Sequence, residues 1–247
     1  MYRALNQWTS PPGFYRHSGR ALPWLWLSFV AVFAAGLAGG LIPASPDLGQ
    51  GTAYRIIYIH LPAVWMAVFA YMVMAGSALI HLVRRDTLAD IWAEASAPVG
   101  ASFAVLALLT GSLWGKPMWG AWWVWDARLT SVLILFFLFF GYMALRSAMD
   151  DRRLAARASA VLVLVGVVHV PLIHFSVIWW STLHQGSTVS PLDAPTIHPG
   201  MLIPLLIMAL AFLLYYLLVC LMRTRCAILE REHRSHWVME LARRKTA

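Results

Sequence analysis

Six stretches of this chain, residues 21–42, 56–83, 95–113, 129–145, 158–180 and 201–222, contain no Asp, Glu, Lys or Arg. A helix needs about 20 apolar residues to cross the hydrocarbon core of a bilayer. Inside lipid, only helices or closed barrels keep every backbone polar group bonded. The runs therefore predict an all-α integral membrane protein of six transmembrane helices. The fourth run is the shortest and is expected to borrow residues from its flanks. Composition agrees, with 60% hydrophobic and 12% charged residues and a mean hydropathy of +0.67; soluble domains hold about 25% charged residues. The spans consume most of the 247 residues, leaving a tail at 1–20, one membrane domain at 21–222 and a basic tail at 223–247. The first run is too long for a signal h-region, and a long polar segment precedes it, so cleavage is not expected.

Basic residues predict the orientation, because cytoplasmic segments carry the excess of Lys and Arg. All but Arg55, Lys116 and Arg128 of the nineteen fall in the two tails or in the loops after the second and fourth spans. Both termini are then cytoplasmic, and loops at about 43–55, 114–128 and 181–200 lie outside. The formal charge of +8 follows from this topology and from anionic membrane lipid, and calls for no nucleic acid. Cys220 and Cys226 form neither a CxxC nor a CxxCH pattern, so they read as ordinary structural thiols. Gly36 and Gly40 form a GxxxG that permits close helix packing.

The middle outer loop reads "WGKPMWGAWWVWDARLT" and holds Trp114, Trp119, Trp122, Trp123 and Trp125, followed by Asp126 and Arg128. Tryptophans gather at membrane interfaces in general, and Trp24, Trp26, Trp179 and Trp180 read as that kind of belt. Five in one loop are a local excess. Gly115, Pro117 and Gly120 punctuate the start of the loop. A helix from Ala121 onward would put Trp119, Trp122, Trp123 and Asp126 on one face. Such an aromatic shelf suits a large flat ligand, since offset stacking adds to apolar burial. Arg128 and Lys116 could hold carboxylates at its edge. Haem fits that description.

Haem iron takes histidine ligands most often. Of the nine histidines, the topology leaves His60, His184 and His198 at the outer face. His60 lies about one turn into the second span and His184 just beyond the fifth. His169 and His174, inside the fifth span, read as polar groups bonded between helices.

The tryptophan stretch resembles the WWD signature of the haem-handling superfamily. With "YRIIYIHLPA", "DDRRLAARA" and "IHFSVIWWSTLHQGST" the chain is similar to the CcmC family of bacterial cytochrome c maturation. The similarity runs over most of the chain and is weakest in the last span and both tails. It implies a multi-pass inner-membrane protein of six helices with a periplasmic WWD loop. It further implies haem b held non-covalently between two histidines, which correspond to His60 and His184. The implied role is a subunit of an ABC-type complex with CcmA, CcmB and CcmD that passes haem to the chaperone CcmE, and no enzymatic step.

Three other classes compete with this reading. A permease would move haem across the bilayer, yet "GSLWGKP" is one residue short of a phosphate loop and has Pro117 where Ser or Thr is needed. His169 is the one ionisable candidate near the midplane. A diheme electron-transfer cytochrome could use His81 and His174, but it leaves the tryptophans unexplained. A covalent enzyme would rest on Ser181, Thr182 and His184, which no carboxylate motif joins.

Overall fold

The structure, a computed structural model, describes residues 10–42, 51–180, 184 and 197–246. Residues 43–50, Ser181, Thr182 and Pro195, on which parts of the outer-loop reading fall, lie outside the described residues. Every regular element among the described residues is a helix: α1 (Pro11–Leu41), a 3-10 turn (Ala53–Ile56), α2 (Ile57–Arg84), α3 (Thr87–Trp119), α4 (Ala127–Ser147), α5 (Arg152–Gly166), α6 (His169–Trp179), α7 (Pro199–Arg231) and α8 (His236–Thr246). α1 to α4, the pair α5–α6 and α7 make six segments long and apolar enough to cross a membrane. The chain is a multi-pass membrane protein.

The helices outrun the apolar stretches because polar caps, not the last apolar residue, set their ends. The Asp86 carboxylate accepts from the Ala89 N–H at 2.9 Å and opens α3, and Asp151 accepts from Arg153 and Leu154 and opens α5. Such caps satisfy N–H groups that the first turn leaves without partners. The fourth span does borrow its flanks, reaching from Ala127 to Ser147.

The fifth span differs from the single helix expected over 158–180. It breaks at Val167–Val168 into α5 and α6. Pro171 explains the break: it has no N–H to give the Val167 carbonyl, and its ring crowds that carbonyl. Neighbouring helices meet the polar groups nearby. His169 Nε2 lies 2.8 Å from the Ser131 carbonyl of α4, and the Tyr71 hydroxyl of α2 donates to Val163 O at 3.2 Å.

α2 and α3 form an antiparallel central pair. Ala63, Ala67 and Ala70 on α2 and Ala97, Gly100, Ala104 and Ala107 on α3 are all buried, and Gly100 abuts Ala70. Small side chains at a spacing of three and four let helix backbones approach where lipid provides no hydrophobic drive. A Cβ at Gly100 would stand 2.3 Å from Phe139 and 3.0 Å from Ala70, so the stripe tolerates nothing larger there. α1 and α7 pack on one flank of the pair, and α4 with α5 and α6 on the other.

At the end of the bundle away from the tryptophans, Asp90 and Glu94 of α3 meet two arginines. Arg146 of α4 lies 2.6 Å from Asp90 and 2.9 Å from Glu94; Arg231 of α7 lies 2.9 Å from Asp90 and 2.6 Å from Glu94. Arg146 also reaches Ser159 of α5 at 3.3 Å. Asp90 and Arg146 are only 6% and 11% exposed, so the group ties four helices through charges shielded from water. Removing one partner of such a pair strands the other, at a cost of about 3–5 kcal/mol. Asp90→Ala should therefore lower unfolding stability in detergent by that order. Arg152→Ala, whose pair with Glu230 is open to solvent, should shift it by less than about 0.5 kcal/mol.

Candidate ligand site at the tryptophan-rich end

The α2–α3 stripe of small residues runs Gly100, Ala104, Ala107 and then Gly111, and at its end it meets His60. A Cβ at Gly111 would stand 3.1 Å from His60 Cε1, so the imidazole fills the space that the missing side chain leaves. Nδ1 of His60 lies 3.0 Å from the Thr110 hydroxyl, and the ring stands edge-on to Trp114 with centroids 5.7 Å apart. His60 is buried, 8% exposed. Sequence reasoning misses Thr110 and meets Gly111 only as the first glycine of "GSLWGKP". The only signal for their role is a Thr-Gly pair inside an apolar run, one turn before a tryptophan.

The tryptophan stretch does not form the continuous helix from Ala121 that would build the expected shelf. α3 runs through Gly115 and Pro117 to Trp119 and stops at Gly120, whose φ of 76° is the left-handed conformation that glycine adopts without strain. The Lys116 ammonium donates to the Gly120 carbonyl at 3.0 Å and sets the stop. Residues 121–126 are irregular, and Asp126 then restarts the helix by accepting from the Leu129 N–H at 2.7 Å. The tryptophans consequently divide into two groups. Trp114 and Trp119 stay on α3, Trp114 against His60 and Trp119 against His184 with centroids 5.0 Å apart. Trp122, beside the Lys116 ammonium, and Trp125, edge-on to Trp123, are 56% and 75% exposed.

Asp126 also stands 3.7 Å from Nδ1 of His184. Arg128, in the first turn of α4, turns one nitrogen toward the His174 carbonyl at 3.5 Å. His60, His184 and Arg128 lie within electrostatic reach of one another. His198 is at the same end but serves as the cap of α7, its Nδ1 accepting from the Gly200 N–H at 3.1 Å. His81 bonds the Asp86 carbonyl at the opposite end of α2. Two buried donors at the site, the Trp123 indole N–H and Arg128 Nε, have no hydrogen-bond partner among the described residues. Unmet buried donors are costly and suit an acceptor-rich ligand. Together the groups present imidazole nitrogens, indole faces and positive donors, the set that a flat apolar molecule with carboxylates requires.

Burial pushes the His184 pKa down to about 4, the Arg128 guanidinium adds to the depression, and the Asp126 carboxylate opposes it. The imidazole is neutral at pH 7 and its lone pair is available. Unfolded, it takes a proton near pH 6.5. Between 6.5 and about 4 the unfolded chain binds more protons, so this group's contribution to stability is full above 6.5 and falls as pH drops through that window. Asp126→Asn, which keeps a good cap, should depress the His184 pKa further, and Arg128→Gln should raise it. Nuclear magnetic resonance titration of labelled histidine checks both directions.

The family model described as "CcmC: Heme exporter protein C" matches residues 4–239. The chain is 49% identical over 241 residues to Heme exporter protein C of Escherichia coli (strain K12), covering 98% of this chain and 97% of that one. It is 48% identical over 234 residues to the protein of the same name from Bradyrhizobium diazoefficiens, covering 95% and 89%. To that of Paracoccus denitrificans it is 39% identical over 238 residues, covering 93% and 98%. Whole-chain similarity of this extent, on a six-span helical fold, identifies the chain as a member of the CcmC family.

Proposed function

We propose that this chain is the haem-handling subunit of an inner-membrane complex, which holds haem at the outer face and hands it to the chaperone CcmE. The observation that carries this reading is the meeting of His60 and His184 with Trp114, Trp119 and Arg128 at one end of the bundle. That end also holds the three basic residues that the charge asymmetry leaves outside. Haem is the cargo and supplies the iron that two neutral imidazoles would ligate. The chain's own part is to seat it, with Trp114 and Trp119 offering ring faces and edges, and Arg128 and the Trp123 N–H offering donors to carboxylates. No nucleophile or acid–base pair is needed for such a transfer, and the chaperone is the partner on which any covalent bond would form.

The division among the tryptophans assigns them separate duties. Trp122 and Trp125 stand out from the loop, and exposed aromatic residues are favoured anchors for a protein partner. CcmA, CcmB and CcmD would meet other faces of the bundle. The break in the fifth span is the one feature that favours a permease, because discontinuous helices line sites in transporters. Here Ser131 and Tyr71 already engage the polar groups beside it, which favours holding and handing over.

In protein purified from haem-sufficient cells, His60→Ala and His184→Ala should each weaken or shift the Soret band. Two unchanged spectra would exclude the axial assignment. Trp114→Ala and Trp119→Ala should lower haem content. Trp122→Ala with Trp125→Ala should instead weaken capture of CcmE about tenfold, or ~1.4 kcal/mol, at unchanged haem content. Equal loss of haem in both sets would remove the proposed division of duties.

A further inference from the structure

We infer that Thr110 and Gly111 are positioning residues for His60: they fix its ring and tautomer so that Nε2 carries the lone pair. The inference rests on the reading of His60 as a ligand and adds how α3 prepares it. The Thr110 hydroxyl has a single proton and three neighbours that could take it. It lies 2.6 Å from the Leu106 carbonyl, 3.3 Å from the Ala107 carbonyl and 3.0 Å from His60 Nδ1. The shortest distance is typical of O–H···O and the one to Nδ1 of N–H···O. The hydroxyl proton therefore goes to Leu106, and the hydroxyl oxygen accepts from Nδ1–H. A neutral imidazole protonated at Nδ1 has its free lone pair at Nε2.

Gly111 completes the arrangement from the next position on α3. Any side chain there would press on Cε1, which separates the two ring nitrogens, because a Cβ would already be 3.1 Å away. Trp114, one turn on, stands edge-on to the ring. Three positions within five residues of one helix thus hold the imidazole by a hydrogen bond, by close packing and by an aromatic edge. Partners on the far nitrogen of a ligating histidine fix its orientation and raise its basicity, and their loss costs about 10–100-fold in metal affinity.

The test compares the full-length protein with Thr110→Val, which keeps the shape and removes the acceptor, with Thr110→Ser, which restores it, and with Gly111→Ala. In ligand-free protein, nitrogen resonances of His60, identified by their absence in His60→Ala, should report the Nδ1–H form. Thr110→Val should shift them toward exchange with the Nε2–H form, and Thr110→Ser should restore them. In haem-loaded protein, Thr110→Val should lower haem retention about tenfold or more and raise the midpoint potential. Thr110→Ser should return both, and Gly111→Ala should lower retention without removing the hydroxyl. A wild-type His60 in the Nε2–H form overturns the inference, as does a Thr110→Val protein with unaltered resonances, retention and potential. His60→Ala run alongside separates the two readings. If it leaves the Soret band intact, the ligand assignment falls. If it abolishes the band while Thr110→Val changes nothing, only the positioning role falls.

Discussion

The close approach of α2 and α3 is the contact on which the rest of the structure depends. In lipid the hydrophobic effect does not press helices together, so association rests on packing and on polar contacts. Alanines and glycines at a spacing of three and four on both helices provide the packing. They make the pair a narrow spine on which the α1–α7 pair and the α4–α6 group can each find a flank. The stripe does not stop where the core stops. It runs on through Gly111 into the candidate ligand site, so one pattern of small residues both assembles the bundle and makes room for a buried imidazole.

The two ends of that spine are treated in opposite ways. At one end Asp90, Glu94, Arg146 and Arg231 satisfy each other through several short contacts. Buried charges are tolerable only when they are paired and bonded in this way. At the other end two buried donors, the Trp123 indole N–H and Arg128 Nε, find no partner among the described residues. A structure that cross-links its helices firmly at one end and keeps unmet bonding capacity at the other concentrates its stability away from its chemistry.

The six spans were legible because a run of twenty apolar residues has few other uses, and the fourth span's need for its flanks followed from its length. The break at Val167–Val168 was written in Pro171 and Gly166, but hydropathy is blind to it: both residues are apolar and the run continues through them. The tryptophan stretch was misjudged for a related reason. Of the three punctuating residues read there, Gly115 and Pro117 stay inside the helix, which a membrane helix tolerates when neighbours meet its backbone groups. Gly120 alone is the stop, through a left-handed φ that singles it out only in the structure. His60 and His184 drew notice by residue type and depth. Thr110 did not, because its role rests on a partner fifty residues away. Asp90 and Glu94 escaped for the same reason, with Arg231 more than 130 residues distant.

The depressed basicity of His184 has a consequence for the energetics of loading. A metal centre that arrives at a protonated histidine must expel a proton, and its affinity then varies with the acidity outside. With its pKa lowered to about 4 by burial, His184 is almost wholly unprotonated near pH 7. On the proposed reading, a cargo iron that takes His184 near pH 7 displaces little proton there, so its affinity varies little with acidity in that range.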